Sequence, residues 1–278
     1  MTTQAPTPSQ VRDAWDAIAD GFDRYATPQT MAFGEQVLSR LELGPGVRVL
    51  DVAAGTGGLS IPAARTGADV VAVDISPAMI EHLAARGRTE GLTGLEARVG
   101  DGEALDFDDA TFDVAVSMNG VSLFPDIPGG LRELVRVTRP GGQVLVVTFG
   151  PMHKAEFIAF FLGAMQATVP GSVPPPTGPP MPPFRLADPT TLRRTLQEAS
   201  LRDVRVETTT WETGFDSVDH LLDTVLTSNP IAGQLTAGLT HEQFGQVRQV
   251  LDGMLRERSG GDPGAVLSCE MRIGQGTV

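Results

Sequence analysis

One cysteine, one tyrosine and one lysine are all that this chain of 278 residues holds of three residue types that often carry chemistry. Cys269 alone can form neither an internal disulfide nor a cysteine-based zinc site, and a reaction that needs several thiols is excluded with them. With Lys154 the sole lysine, positive charge is almost entirely arginine, and it is outnumbered: 21 Lys and Arg face 34 Asp and Glu, for a net charge of −13. Such a chain repels a phosphate backbone, so nucleic acid is not expected as a partner. No apolar run approaches the ~18 residues of a membrane span. Met1 to Ser9 is polar and lacks the basic start and apolar core of a secretion signal. The expectation is a cytoplasmic protein with no membrane span that acts on a small molecule.

The stretch Arg48 to Leu59 supplies what composition cannot. Val47, Val49, Leu50 and Val52 form a short β-branched and apolar run, the pattern of a strand buried on both faces of a parallel sheet. Asp51 lies within its end, and Gly55, Gly57 and Gly58 follow, letting the backbone turn tightly and approach a ligand. Leu59 to Arg65 reads as a helix whose first N–H groups face the loop, which favours an anionic ligand group. Asp51, an acid at a strand end, suits a cationic amino group. Val70 to Val73 is a second such run, and Asp74 closes it at the distance beyond a glycine loop, ~20 residues, where an acid binds a ribose. Ser76 and Pro77 are an N-cap and first-turn proline that open a helix bearing Met79, Ile80, Leu83 and Ala84. Leu95–Val99 and Phe112–Met118 are further strands, the first running into Gly100, Asp101, Gly102 and Glu103 and the second into Asn119 and Gly120. A helix around Leu131–Val137 ends at Pro140-Gly141-Gly142, a type II turn pattern, before a fifth strand from Gln143 to Phe149.

Read as Asp-x-Ala-x-Gly-x-Gly, the loop resembles motif I of the class I S-adenosylmethionine (SAM) methyltransferases, with Ala53 where many members carry glycine. The ordered set over roughly residues 10–150 is similar to the ubiquinone/menaquinone-biosynthesis-like (type 11) branch. Gly102, Asp106 and Thr138 depart from that pattern without removing a ligand-binding group. A dinucleotide site of a NAD(P)-dependent oxidoreductase is the alternative, disfavoured by Ser60 at its third glycine position and by Asp51. A non-catalytic SAM-binding scaffold is a second alternative, since a fold does not fix a function.

The resemblance implies an α/β fold: a Rossmann-like, seven-stranded, mostly parallel sheet with the last strand antiparallel, plus helical cap insertions. It implies S-adenosyl-L-methionine as cofactor, S-adenosyl-L-homocysteine as product, and no metal. It implies a cofactor site of Tyr25, Asp51, Ala53, Gly55, Thr56, Gly57, Asp74, Ile75, Met79, Gly100, Asp101, Gly102, Glu103, Ser117, Met118 and Asn119. An acid in the Gly100–Glu103 segment would take the adenine amino group. The chain should divide into lid helices over 1–43, the SAM-binding core over 44–150, a helix and proline-rich cap loop over 151–187, the end of the core sheet over 188–211 and 264–275, and a helical cap insertion over 212–263.

The lid should be one amphipathic helix over residues 10–25, with Val11, Trp15, Ile18, Ala19, Phe22 and Tyr25 on one face and Gly21 weakening its end, followed by a helix from Gln29 to Leu41. Beyond residue 150, Ala155–Thr168 is apolar around much of its circumference. Val169–Pro183 holds eight of the chain's 21 prolines, the composition of a stiff loop across a pocket. Phe22, Phe124, Phe157, Phe161, Met165 and Trp211 are candidates for the wall of an acceptor pocket, with Phe184 and Leu222 beside them, and such a wall suits a largely apolar acceptor. His153 directly follows the fifth strand, at the edge where ligands bind, and is the candidate general base. His220 and His241 could line the pocket from the cap, whereas His82 should face solvent. Asp106, Asp108 and Asp109 read as solvated loop charges rather than as metal ligands.

Overall fold

The computed structural model describes residues 7–169, 171 and 180–278. The proline-rich segment between residues 169 and 183 therefore lies largely outside the described residues.

The N-terminal region is built from α1 (Pro8–Asp16), α2 (Ala19–Gly21), a π-helical turn (Phe22–Ala26) and α3 (Thr27–Leu38). The single helix expected over 10–25 is thus broken, for a tertiary reason. Gly21 packs so tightly on Thr227 that a Cβ there would overlap the threonine side chain, and the wider π turn that follows reorients Phe22. The core then alternates strand and helix: β1 (Arg48–Val52), α4 (Ser60–Arg65), β2 (Asp69–Asp74), α5 (Pro77–Thr89), β3 (Leu95–Val99), β4 (Phe112–Met118), α6 (Ile127–Val137) and β5 (Thr138–Phe149). Helix α6 starts earlier than its apolar pattern suggests, because Asp126 caps it by accepting from Gly129 N at 3.0 Å. Strand β5 starts at Thr138 rather than Gln143. Its Pro140-Gly141 turn, with φ +80° at Gly141, bulges from a ladder that pairs Thr138 with Phe112 and resumes at Gln143 with Val114.

The remaining elements are α7 (Glu156–Thr168), α8 (Pro189–Glu198, capped by Asp188), β6 (Arg202–Phe215), α9 (Val218–Ser228), α10 (Pro230–Thr236), α11 (His241–Ser259) and β7 (Ala265–Thr277). Both final strands are longer than their apolar runs. Residues 212–215, expected at the start of the cap, continue β6 in register with β7, and Gln275–Thr277 continue β7 along β5.

The seven strands lie in the order β3-β2-β1-β4-β5-β7-β6, and β7 alone is antiparallel, to both neighbours. This is the Rossmann-like methyltransferase arrangement. Alternate residues of each strand feed two cores: Val49, Val116 and Val147 pack with α3, α4, α7 and α11, while Leu50, Ala115 and Val146 pack with α6 and α8. Because β6 is parallel to β1, its excursion into α9–α11 leaves from the carboxyl edge of the sheet, the edge at which β1, β2 and β4 also end. The cap helices and the glycine loop are thereby placed on the same side. Among the described residues no helix is long and apolar enough to cross a membrane.

Candidate functional site

The backbone at the tip of β1 is turned by three left-handed residues, Ala53 (φ +58°), Gly55 (φ +55°) and Gly57 (φ +107°). A Cβ at Gly55 would meet only the Phe22 ring, at 3.8 Å, so the glycine leaves open the space between loop and lid. Ala53 occupies its left-handed conformation at a steric cost of roughly 1–2 kcal/mol. Ala53→Gly should therefore raise stability, by about 0.5–1 kcal/mol after the greater unfolded-state entropy of glycine is counted. A melting curve higher by ~2 °C would show it, and a lower one would mean that the Ala53 methyl packs usefully against Gly120.

Asp74, at the tip of β2, is the anchor of the loop. One carboxylate oxygen accepts from Gly55 N at 2.8 Å and the other from Ser76 N at 2.9 Å, which leaves each oxygen a free lone pair for a ligand hydroxyl. Burial pushes its pKa above the ordinary carboxylate range, against the pull of those amides. Asp51 lies one strand away, 1% exposed and turned from the cavity toward α4, where Ser60 Oγ donates to it. Its burial, and secondarily the charge of Asp74, outweigh that hydrogen bond and push its pKa up to about 7.

Around this loop opens one large cavity lined by three walls. Ala53, Gly55, Asp74, Ile75, Met79, Gly100, Asp101, Gly102, Glu103, Met118 and Asn119 form the wall at the strand tips. The second wall is the N-terminal lid, with Pro8, Val11, Trp15, Phe22, Gln29 and Thr30. The third consists of Phe124, Phe149, Phe157, Phe161, Phe184, Trp211 and Phe215, closed by Val225, Ser228, Asn229, Ile231 and Leu235 from α9 and α10. Its aromatic rings interlock: Phe157 meets Trp211 edge-on at 6.2 Å, and Trp211 stacks on Phe33 at 5.4 Å.

The lid is held down by a ladder of carboxylates spaced as i, i+4, i+7. Asp16 accepts from Ser76 Oγ and from Ala78 N (3.1 Å), Asp20 pairs with His82 (2.8 Å), and Asp23 with Arg86 (2.6 Å). His82, expected to face solvent, is instead half-buried between Asp20 and Asp23. At the end of the lid, Thr27 Oγ1 is hydrogen-bonded to Thr56 Oγ1, tying α3 to the glycine loop.

Several candidates from the sequence lie off the cavity. Tyr25, carried round by the π turn, packs against His220 of α9 with ring centroids 6.2 Å apart. Thr56 and Ser117 are buried behind the wall, and Gly57 is enclosed by Ile61 and Leu83. Met165 is fully buried in the core between sheet and helices, and Leu222 is buried there too. His153 is exposed in a short 3₁₀ turn after β5 and does not line the cavity. His220 accepts from Asp216 N, His241 is exposed at the start of α11, and Asp109 pairs with Arg136 at 2.9 Å.

Sequence reasoning missed other parts. Gly34 lets α3 approach the loop so closely that a Cβ there would overlap the Gly58 carbonyl oxygen; a glycine inside a helix was the available signal. Arg185 was also missed. Its guanidinium holds the carbonyls of Ser122 (2.9 Å) and Phe124 (2.7 Å) and so fixes the turn that carries Phe124.

The residues present fit SAM: Asp74 keeps lone pairs for a ribose diol, Gly55 leaves a cradle that a Cβ would enter, and Asn119 Oδ1 is a buried acceptor without a partner in the protein. A methyltransferase-domain family profile matches residues 49–142. A demethylmenaquinone methyltransferase of Renibacterium salmoninarum is 34% identical over 169 residues, 58% of this chain and 69% of that protein. An uncharacterised protein of Mycobacterium tuberculosis is 41% identical over 136 residues, 49% of this chain and 47% of that protein. The chain thus spans about half the length of the first of the curated relatives it matches. Among solved structures, a phosphoethanolamine N-methyltransferase of Haemonchus contortus superposes with a TM-score of 0.55 at 18% identity, covering 88% of this chain and 52% of that one. The [4+2]-cyclase SpnF superposes at 0.60 and 17% identity, covering 98% and 97%. At those identities the likeness is one of fold. The chain belongs to the class I SAM-dependent methyltransferase family.

Proposed function

We propose that the protein is a SAM-dependent methyltransferase that methylates a small, largely apolar metabolite, at oxygen or nitrogen first and with carbon open. The observation that carries this reading is one cavity with two chemically different ends, strand tips bearing Asp74 and Asp101 and an aromatic chamber walled by the lid and α9–α10. Demethylmenaquinone methyltransferases among the relatives are in keeping with an apolar acceptor. In this reading Asp74 holds the ribose hydroxyls, Asp101 the adenine amino group, and the amides of the glycine loop the ligand's carboxylate. The bound donor supplies an electrophilic methyl group whose departure leaves a neutral thioether. The chain's own contribution is to orient the two ligands and exclude water, by the lid ladder on one side and the interlocked rings on the other.

The reading is tested by calorimetric titration with SAM, S-adenosylhomocysteine and NAD, followed by turnover against phenols, amines and isoprenoid-like acceptors. SAM and S-adenosylhomocysteine should bind and NAD should not; binding of NAD alone would overturn it. Asp74→Ala should weaken SAM at least ~10-fold, the loss of hydrogen bonds to a charged group. Unchanged affinity in that variant would remove Asp74 from the site. SpnF shares the fold as a cyclase, so SAM binding without methyl transfer to any acceptor would favour a scaffold role instead.

A further inference from the structure

This inference rests on the methyltransferase reading and concerns what the acceptor must be. The ionisable residues that line the cavity are Asp74, Asp101 and Glu103, all on the strand-tip wall. Asp74 and Asp101 are the groups assigned to the cofactor, and all three carboxylates are held at the strand tips by backbone N–H groups: Asp74 as above, Asp101 accepting from Glu103 N at 2.9 Å, and Glu103 from Asp126 N at 2.6 Å. Among the described residues, the chamber walls and the lid turn no acid, base, histidine, cysteine or tyrosine toward the cavity. Residues 1–6, 170 and 172–179 add none, since their side chains are those of Met, Thr, Gln, Ala, Pro, Ser, Val and Gly alone. His153 is exposed elsewhere, Tyr25 and His220 face each other outside the cavity, and the Cys269 thiol is buried and pushed up by that burial. What polarity the chamber has comes from Gln29, Thr30, Asn119, Thr224, Ser228 and Asn229, which form hydrogen bonds but do not take a proton at neutral pH.

Methylation of a neutral hydroxyl leaves its proton on the oxygen, and this chamber has no residue to remove it. An acceptor that arrives as its anion needs none. Its electron pair forms the bond to the methyl carbon while the carbon–sulfur pair leaves to sulfur, and two uncharged products result. We propose that the acceptor is a flat, apolar molecule carrying an acidic enol or phenol, which ionises by its own acidity and is methylated with no proton-accepting residue of the protein. The rings of Phe149, Phe157, Phe184 and Trp211, with centroids 5.7–6.3 Å apart, provide walls for a flat body.

Both tryptophans of the chain, Trp15 and Trp211, line the cavity, so intrinsic fluorescence reports its occupancy without turnover. The test uses nitrophenols and hydroxycoumarins whose acidities fall on both sides of neutrality, with alcohols of similar shape. In the first arm, each chromogenic acceptor is titrated by absorbance while bound beside S-adenosylhomocysteine. Its pKa should move up from the free value, because an apolar chamber disfavours the anion. A downward move with proton uptake by the protein would reveal a base and overturn the proposal. In the second arm, the acid limb of kcat/KM should shift one-for-one with the acceptor's own pKa, and the alcohols should be slower by at least ~100-fold, the usual worth of a general base. A limb at the same pH for every acceptor would overturn it. Failure of the methyltransferase reading looks different: neither SAM nor S-adenosylhomocysteine binds, while the same absorbance titration of the acceptor bound alone still decides whether the chamber holds a base.

Discussion

Asp51→Asn should reverse the order of stability between pH 4 and pH 8. In the unfolded chain Asp51 loses its proton near pH 4, whereas in the fold burial holds the proton until about pH 7. Below the first value both states are protonated and nothing is lost. Between the two, unfolding releases a proton, so stability falls as pH rises, and above about pH 7 the full penalty of a buried carboxylate remains. Three pH units correspond to a loss on the order of 4 kcal/mol. Asparagine has no such loss. It keeps an acceptor for Ser60 Oγ but adds a buried amide without a partner, which costs about 1–3 kcal/mol at every pH. The variant should then be the less stable protein at pH 4 and the more stable one at pH 8, with the curves crossing in between. Urea unfolding at closely spaced pH values measures this, and curves that stay parallel would show that Asp51 is not held protonated.

The same residue links stability to the proposed ligand. A cationic amino group brought to the glycine loop would favour the ionised carboxylate, so binding near pH 6 should release a proton. Calorimetry in two buffers of different ionisation enthalpy reads that proton directly, and Asp51→Asn should abolish it.

What could be read from the sequence was what local chemistry decides. The tips of β1 to β4 fell where apolar runs meet glycine or acid, and Ser76-Pro77 opens its helix as its residue types require. Features decided by distant contacts could not be read. The break after Asp16 depends on Gly21 meeting Thr227, more than 200 positions away, and it is this break that carries Tyr25 out of the site while Phe22 lines it. The extensions of β6 and β7 are threonine- and glycine-rich because one strand forms an exposed edge and the other lies under α8. A Cβ at Gly274 would meet Leu196 at 2.6 Å. In the site, the strand-tip wall was legible because each residue sits at a strand end, where position alone fixes direction. A helical cap over 212–263 was expected, but which face of α9 meets the cavity depends on the lid it packs against.

Gly34→Ala should damage the protein where the same change elsewhere helps it. Glycine inside a helix is about 1 kcal/mol worse than alanine, so the substitution is ordinarily stabilising. In α3 the new Cβ would overlap the Gly58 carbonyl oxygen, with Gly58 C at 3.2 Å and Leu59 Cδ2 at 3.3 Å behind it. The obstruction is backbone and cannot rotate aside. The loop cannot retreat either, because a shift of Gly58 is resisted by Met118 on one side and Thr30 on the other; a Cβ on Gly58 would lie 2.9 Å and 3.1 Å from their side chains. Helix α3, the glycine loop and the tip of β4 therefore interlock, and overpacking them should destabilise the fold by about 1–3 kcal/mol. The displaced loop should also lower SAM affinity at least ~10-fold, equivalent to about 1.4 kcal/mol. Gly253→Ala in α11 is the matched control. Nothing lies within 4 Å of its new methyl, so it should gain up to about 1 kcal/mol and leave SAM affinity unchanged. If Gly34→Ala behaves like Gly253→Ala, the close approach of α3 does not set the shape of the loop. If it loses affinity out of proportion to stability, α3 shapes the glycine loop from behind as well as lining the cavity with Gln29 and Thr30.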